Sequence, residues 1–308
     1  MTGVLLVNMG GALSRKEMKI FLSRMFMDPY ILPFNKFTRS ILSFIISNTR
    51  YKKSWKKYEL IGGTPIIRAT ERTMSALQNE LPDTFKVKVA FSYTSPLVHE
   101  SLASFNNEGI NEVVVIPLYP QASHTTTLSV ISDANNAVKR FPGMKLKFIS
   151  EFYQHESFVK FWAKNIHEQI TKTNYCSPYL IFSAHSIPKQ LVDKGDTYPK
   201  AIEECAKNIA HKLGVEYECA YQSQMKGSNW ICPEVKERLK ELASSGKEEI
   251  ILIPISFVNE NLETLYDVDE DIIPYCKKEL GIKKISRINI PEADPLFIQL
   301  LANIIRNN

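Results

Sequence analysis

Apolar residues along this chain are concentrated in eight short runs that are rich in valine, isoleucine and aromatic residues. Most runs are continuously apolar, which is typical of strands in a parallel sheet that is covered on both faces. The segments between them are amphipathic, like 233–246, which begins with a proline and ends with a glycine. Buried strands that alternate with helices predict an α/β fold. The runs start at residues 3, 88, 112, 146, 179, 218, 249 and 285.

The eight runs divide into two sets of four. The segment "VVVIPLYP" in the first half of the chain is similar to "IILIPISF" in the second half. The first strand-to-strand connection is longer by roughly 45 residues than its counterpart, far more than a crossover requires. We therefore predict two similar domains, 1–150 and 151–308, each with a four-stranded parallel sheet flanked by helices. The first carries an insertion at about 15–62, and the C-terminal helix could pack back on the first domain.

The insertion is dense in phenylalanine, methionine, isoleucine and leucine, with basic residues placed among them. One interpretation is an additional helical layer that packs on its own domain. The other is a lip with an apolar face that grips a large flat ligand or rests on a membrane. Composition alone leaves both interpretations open.

Composition excludes several classes of protein. The five cysteines of the 308 residues form no CxxC pair and no zinc-binding spacing, so reduced thiols in a cytosolic protein are expected. The first residues do not form a secretory signal, and no apolar stretch approaches the roughly 18 residues that span a membrane. We predict a cytoplasmic protein, with a peripheral position at the inner face of the membrane left open.

The charge pattern and the absence of glycine-rich nucleotide-binding sequences limit which ligands the protein is expected to bind. The net charge of +5 is modest, and its excess is concentrated in the segment 50–57. This pattern favours an anionic ligand or a membrane surface over a nucleic acid. Neither a GxGxxG sequence after the first strand nor a phosphate-binding GxxxxGK[ST] sequence is present. Their absence argues against a dehydrogenase and against an NTPase.

Polar residues follow the predicted strands, where open α/β sheets bind their ligands. Asn8 and Met9 end the first strand, and a series of hydroxyl residues with His124 follows the third. His185 lies where the chain leaves the fifth strand. A histidine in this place is often purely structural, but its position at the carboxyl edge favours a chemical role.

Six acidic residues lie between Glu260 and Asp271, directly after the seventh strand, with no lysine or arginine among them. At 100° per residue, five of them fall within about a 100° arc of a helix: Glu260, Glu263, Asp267, Glu270 and Asp271. One interpretation is a solvated acidic face near a helix N-terminus. The other is a line of carboxylates that leads cations to a site, since like charges without a cationic partner are unfavourable.

Seven segments of the chain, in order, resemble the successive signatures of the ferrochelatases. They are "LLVNMGG", "IGGTPI", "LYPQASHTTT", "FSAHSIP", "GDTYP", "YQSQMKGSNWICP" and "FVNENLETLYDVD". The resemblance implies two Rossmann-like domains without a nucleotide, which enclose a porphyrin cleft. It also implies insertion of Fe²⁺ into protoporphyrin IX, the terminal step of haem synthesis, with release of two protons.

The resemblance also implies roles for individual residues. His185 matches the active-site histidine and Glu263 its partner carboxylate, which together would accept protons and contact the metal. Asp267 and Asp271 would continue this line as the approach of iron or the exit of protons. A methionine at position 9, where a tyrosine is the alternative, looks like the protoporphyrin-using branch. The expected porphyrin-binding residues are Met9, Tyr93, Tyr119, Ser123, Ser186, Trp230 and Asn261.

Two departures from the family pattern affect these expectations. Asn261 stands where many relatives have a histidine, and an amide cannot take up a proton at physiological pH. We therefore expect His185 and Glu263 to suffice, with Asn261 only hydrogen bonding. The chain ends "IIRNN", without the cysteine cluster of animal relatives, so no iron–sulfur cluster and no tightly bound cofactor are expected. A non-catalytic porphyrin or haem carrier, and a chelatase for another tetrapyrrole or metal, remain alternatives.

Overall fold

The eight predicted strands form two four-stranded sheets, and every strand pairing within them is parallel. The first sheet has the order β2-β1-β3-β4 and the second the equivalent order β6-β5-β7-β8. This confirms the predicted α/β fold. The strands are β1 (Thr2–Asn8), β2 (Phe85–Phe91), β3 (Glu112–Pro117), β4 (Lys145–Phe148), β5 (Tyr179–His185), β6 (Tyr217–Gln222), β7 (Glu249–Pro254) and β8 (Lys284–Arg287).

The computed structural model describes residues 1–224 and 229–307, which form two units. The first unit comprises Met1–Glu151 and the segment from Glu292 onward, and the second comprises Phe152–Pro291. Helices of the first unit are α1 (Arg15–Phe26), α2 (Lys36–Leu60), α3 (Pro65–Glu80), α4 (Val98–Asn107), a π-helix π1 (His124–Leu128) and α5 (Ser129–Val138). Those of the second are α6 (Glu156–Thr173), α7 (Lys189–Asp193), α8 (Tyr198–Leu213), α9 (Val235–Ser244), a π-helix π2 (Glu263–Ile272) and α10 (Ile273–Lys278).

The C-terminal helix α11 (Pro295–Arg306) belongs to the first unit. It packs against α3, and the Arg306 side chain donates a hydrogen bond of 2.6 Å to the carbonyl oxygen of Glu80. One face of α11 is buried, including Phe297, Leu300 and Leu301. Apolar residues at this spacing form the stripe that attaches a surface helix to a core.

Each sheet builds a core of its own. In the first unit, Leu5 and Val115 on the central strands pack with Leu102 and Phe105 of α4. In the second unit, the buried residues of β5 and β7 pack with α9, α10 and π2. The helix π2 contributes Val268 and Ile272 to this core. Burial of these two side chains fixes which face of π2 is left for the polar residues.

The loop after β1 depends on a glycine. Gly10 has a φ of +83°, in the left-handed region that side chains rarely adopt. A Cβ atom there would lie 2.9 Å from the Cβ of Phe91 and 2.9 Å from the Oγ1 of Thr94. The chain can therefore turn closely against the end of β2 only because this residue has no side chain.

The predicted insertion consists of α1, α2 and the turn between them. Helix α1 packs on its own unit through Met18, Phe21, Leu22 and Phe26, as a helical layer would. Helix α2 leaves an apolar face exposed: Phe37 is 77% exposed and Phe44 67%. Ile41 and Ile45 are exposed on the same helix, and Ile41 lies four residues after Phe37 and three before Phe44.

Asp28, which follows α1, joins the insertion to two other segments of the first unit. The Asp28 carboxylate accepts hydrogen bonds from the Tyr93 hydroxyl at 2.7 Å, the Tyr30 backbone N–H at 2.8 Å, and the Ser129 hydroxyl. Tyr93 follows β2 and Ser129 begins α5, so one carboxylate connects three separate segments. Among the described residues, no helix combines the length and apolar character that crossing a bilayer demands.

Candidate active site

His185 is the last residue of β5, a central strand that pairs with β6 on one side and β7 on the other. The preceding residues of this strand are buried, because both faces of the sheet are covered. The His185 side chain is 39% exposed at the carboxyl edge. Gln222, the residue of β6 that is in register with His185, is 1% exposed. An imidazole is thus presented at the edge where such sheets bind ligands.

The acidic stretch is helical, as expected, but its winding differs from the α-helix that the 100° spacing assumes. In π2 the hydrogen bonds run five residues back, as from the Ile273 N–H to the Val268 carbonyl oxygen. A single α-helical residue, Leu262, precedes it. Asn261 precedes that residue, and its Oδ1 accepts hydrogen bonds from the N–H groups of Glu263 at 2.8 Å and Thr264 at 3.1 Å. Asn261 is therefore the N-cap of the acidic helix.

The structure brings His185 and Glu263 together. The His185 Nδ1 atom is 2.7 Å from the Glu263 Oε1 atom. The Nδ1 atom is shielded from solvent. Burial lowers the pKa of the imidazole, but the charge of Glu263, its hydrogen bond with the imidazole and the charge of Asp267 together raise it more, to a value above the ordinary 6.5.

Asp267 and Asp271, the other two predicted metal residues, have different surroundings. Asp267 accepts a hydrogen bond of 2.9 Å from the Ser223 hydroxyl, and its charge acts on His185. Asp271 is 55% exposed and forms an ion pair of 2.8 Å with Lys236. Asp267 thus belongs to the electrostatic environment of the imidazole, whereas Asp271 lies at the surface of the same helix.

The acidic stretch has a buried cationic partner that lies outside its own segment of the sequence. Arg287, the last residue of β8, is 2% exposed and lies between two of these carboxylates. Its guanidinium is 2.8 Å from Glu260 and 2.8 Å from Asp269. Burial lowers the pKa of Arg287, but Asp269 and Glu260 raise it more. The cation is distant in sequence, so a local count of charges could not find it.

Tyr198 is a neighbour of His185 that sequence reasoning missed, although its segment "GDTYP" was recognised. Its hydroxyl lies against the Ser256 hydroxyl and the His185 backbone. The Tyr198 backbone N–H donates to Asp196 Oδ1 at 3.0 Å. Burial raises the pKa of Tyr198 above its usual range, so the phenol stays neutral beside the His185 backbone.

Two further predicted residues of the second unit surround this edge. Ser186 is fully buried, and its hydroxyl donates to the Ile231 carbonyl oxygen at 3.1 Å. Trp230 pairs with Pro188 through an isolated bridge, and its Nε1 is buried without a partner among the described residues. The amide nitrogen and oxygen of Gln222 are likewise buried without partners in the described part of the chain. Residues 225–228, in the middle of "YQSQMKGSNWICP", lie outside the described residues.

The remaining four predicted porphyrin residues follow strands of the first unit. Met9 is partly buried after β1, and Tyr119 packs partly buried against the core after β3. Tyr93 is 7% exposed, packs edge to face on Phe21 and directs its hydroxyl to Asp28. Ser123 is 4% exposed and its hydroxyl accepts the Thr125 N–H at the start of π1. These residues gather at the carboxyl edge of the first sheet.

The His185 imidazole and the carboxylates of Glu263 and Asp267 are side chains of the kind that bind divalent metal ions of borderline softness. In residues 1–224 and 229–307, no group of three or more histidine, cysteine, aspartate or glutamate side chains is arranged to hold a metal ion.

The chain is similar over its whole length to known proteins of one family. The ferrochelatase family model matches residues 1–308. Ferrochelatase of Aquifex aeolicus is 37% identical over 311 residues, which cover 99% of this chain and 98% of that protein. Ferrochelatase of Geotalea daltonii is 34% identical over 317 residues, which cover 99% of this chain and 97% of that protein.

Solved structures with a similar fold include SirB from Bacillus subtilis with Fe³⁺. It has a TM-score of 0.62 at 9% identity and covers 99% of this chain and 94% of that one. CbiX is described as the terminal enzyme of sirohaem biosynthesis in denitrifying bacteria. It has a TM-score of 0.55 at 12% identity and covers 99% of this chain and 98% of that one. At these identities the likeness establishes the fold. The family model and the whole-length relatives establish more: the chain belongs to the ferrochelatase family, the lyases that insert a metal ion into a porphyrin.

Proposed function

We propose that this chain inserts Fe²⁺ into protoporphyrin IX and forms protohaem, with release of two protons. The observation that carries the proposal is the pair of His185 and Glu263, 2.7 Å apart at the carboxyl edge of the second sheet. Iron and porphyrin are both substrates in this reaction. The placement of the porphyrin between the two domains stays a prediction from the resemblance.

The chemistry gives each group of the pair a task. A free-base porphyrin carries two N–H protons that must leave before the metal can occupy its centre. The neutral His185 imidazole accepts a pyrrole proton, and the Glu263 carboxylate stabilises the imidazolium that forms. We assign Asp267 and Asp271, which follow Glu263 at intervals of four residues, to the approach of iron and the departure of protons. Transfer of protons along carboxylates leaves the imidazole neutral again for the second proton.

The apolar face of α2 is the proposed contact for the macrocycle or for a membrane surface. Four large side chains, Phe37, Ile41, Phe44 and Ile45, are exposed there, and exposed apolar patches of this kind commonly bind a ligand or a partner. The helix continues into the basic segment 50–57, which suits the carboxylates of a porphyrin or an anionic lipid headgroup. Tyr119, Met9, Trp230 and the neighbouring serines are proposed to complete the porphyrin site.

An anaerobic metal-insertion assay tests the proposal. Purified protein is mixed with Fe²⁺, Co²⁺ or Zn²⁺ and with protoporphyrin IX, coproporphyrin III or sirohydrochlorin, and product is followed by absorbance. Fastest turnover with Fe²⁺ and protoporphyrin IX supports the proposal. Porphyrin binding without any product would indicate a carrier, and preference for another tetrapyrrole or metal would indicate a different chelatase. Co-sedimentation with anionic liposomes, with and without porphyrin, tests the membrane contact of α2.

The raised pKa of His185 predicts how activity depends on pH. Proton acceptance needs the neutral imidazole, and a raised pKa keeps it protonated to higher pH, so the acidic limb of kcat/KM is expected above pH 6.5. Asp267→Asn removes a charge that raises this pKa, so the limb is expected to move to lower pH. Glu270→Gln, an exposed change on the same helix, serves as the control. A limb that stays in place in Asp267→Asn would contradict this account.

A further inference from the structure

We propose that Asn261 is a positioning residue for the reaction. By capping the acidic helix it holds the Glu263 carboxylate beside His185, and the reaction requires a hydrogen-bond acceptor at position 261 but no proton acceptor. This inference rests on the proposed function, because it concerns the same pair of groups. It assigns a task to the residue at which this chain departs from many ferrochelatases.

The Asn261 side chain bonds to backbone groups at the start of the helix and just before it. Its Oδ1 accepts the N–H groups of Glu263 at 2.8 Å and Thr264 at 3.1 Å, and its Nδ2 donates to the Asn259 carbonyl oxygen at 3.3 Å. The Asn261 carbonyl oxygen accepts the Leu265 N–H at 3.1 Å, which is the first bond of the helix. Both ends of the amide are thus bound to local backbone, and the N–H of Glu263 itself is one of the groups held.

Thr264 returns a bond to the cap. The Asn261 backbone N–H donates to the Thr264 Oγ1 at 3.0 Å, and Thr264 is fully buried. The Thr264 hydroxyl in turn contacts Glu260, which is bound to Arg287. This is the reciprocal arrangement of a capping box, with a threonine in place of the usual glutamate or glutamine. The cap is therefore tied through Glu260 to the buried arginine of β8.

The position of the cap explains why it affects catalysis. When Leu262 is counted, Glu263 is the second helical residue after the cap. Backbone N–H groups in this first turn have no partner inside the helix. Without the cap, this first turn loses two of its hydrogen bonds. The backbone of Glu263 is then no longer held in place, and its side chain can move away from His185. A misplacement of about 1 Å in a catalytic group can cost roughly 10²-fold in rate. An amide cannot accept a proton, so the contribution of Asn261 is geometric.

Substitutions separate the cap from proton chemistry. Asn261→Ser keeps an oxygen that caps well, whereas Asn261→Ala removes it. We expect kcat of Asn261→Ser within about threefold of the unmodified protein, and a fall of about 10- to 100-fold in Asn261→Ala with little change in the KM for porphyrin. Asp294→Ala, which removes the cap of α11 at the Leu296 N–H, is the matched control. We expect it to lower the melting temperature and to preserve kcat.

Hydrogen exchange gives a readout that is independent of activity. The N–H groups of Glu263 and Thr264 are expected to be protected in the unmodified protein and in Asn261→Ser, and to exchange faster in Asn261→Ala. Should the unmodified protein insert no metal, the proposed function fails, while the exchange rates still decide whether Asn261 is the cap. Thr264→Val, which removes the returning bond at equal size, provides a second variant with a smaller expected fall in kcat if Asn261→Ala does not fold.

Two results would overturn the inference. One is equal exchange rates and equal kcat in Asn261→Ser and Asn261→Ala, which would mean that no oxygen is needed at this position. The other is a gain of tenfold or more in kcat for Asn261→His over the unmodified protein, which would mean that proton acceptance at position 261 limits the reaction. His155 already caps α6 through its Nδ1 in this chain, so a histidine can cap, and unchanged activity in Asn261→His supports the inference.

Discussion

Replacing His185 by alanine is expected to lower kcat for iron insertion by about 10²- to 10⁴-fold, the usual contribution of a positioned general base. The imidazole combines proton affinity near neutral pH with a close carboxylate, Glu263 at 2.7 Å. Because the side chain is 39% exposed, its removal should leave folding largely intact. Anaerobic turnover with Fe²⁺ and protoporphyrin IX measures the change, and quenching of intrinsic fluorescence measures porphyrin binding.

His167→Ala is the matched control for this variant, because His167 is exposed on α6. It should keep kcat and the melting temperature of the unmodified protein. If His185→Ala retained more than a tenth of the activity, the pair of His185 and Glu263 would not carry proton transfer. A parallel loss of porphyrin binding would instead place His185 in substrate recognition.

Replacing Arg287 by methionine is expected to lower the free energy of unfolding by about 3–5 kcal/mol. The guanidinium is 2% exposed and binds Glu260 and Asp269, so its loss leaves two partly buried carboxylates without their counter-ion. Glu260 also accepts the Ile290 N–H at 2.8 Å and contacts Thr264, so the start of the acidic helix should loosen as well. Urea unfolding followed by circular dichroism measures the change.

Arg238→Met provides the comparison for Arg287→Met. Arg238 also binds two carboxylates, Glu218 and Glu241, but its side chain is 31% exposed and Glu241 is 64% exposed. Solvent screens such pairs, and a change of only about 0–1 kcal/mol is expected. Similar losses in the two variants would mean that burial does not distinguish the arginine of β8 from an ordinary surface arginine.

The fold was predictable because its signals are local. A strand of a covered parallel sheet shows its burial in its own residues, as "YLIFSAH" and "EIILIPIS" do. His185 is the last residue of "YLIFSAH", so its place at the carboxyl edge follows from where this strand ends. The pairing of His185 with Glu263 was predicted from the family resemblance, and its distance came from the structure.

The winding of the acidic helix and its cap were not predictable in the same way. Plotting the acidic residues at 100° per residue assumed an α-helix, whereas the hydrogen bonds of π2 run five residues back. Asn261 was recognised only as a departure that could not accept a proton. That its oxygen holds the N–H of Glu263 depends on backbone directions, which a sequence pattern does not contain.

The eight strands, their division into two similar sets and the family follow from the amino-acid sequence alone, because periodic burial and signature segments are properties of contiguous residues. The three-dimensional packing was needed to show that Arg287 neutralises Glu260 and Asp269, that the Tyr198 hydroxyl lies against the His185 backbone, and that Asp271 pairs with Lys236. Each of these contacts joins residues from different elements of the chain. Its geometry is set by how those elements pack, and burial then determines how strongly the charges act on one another.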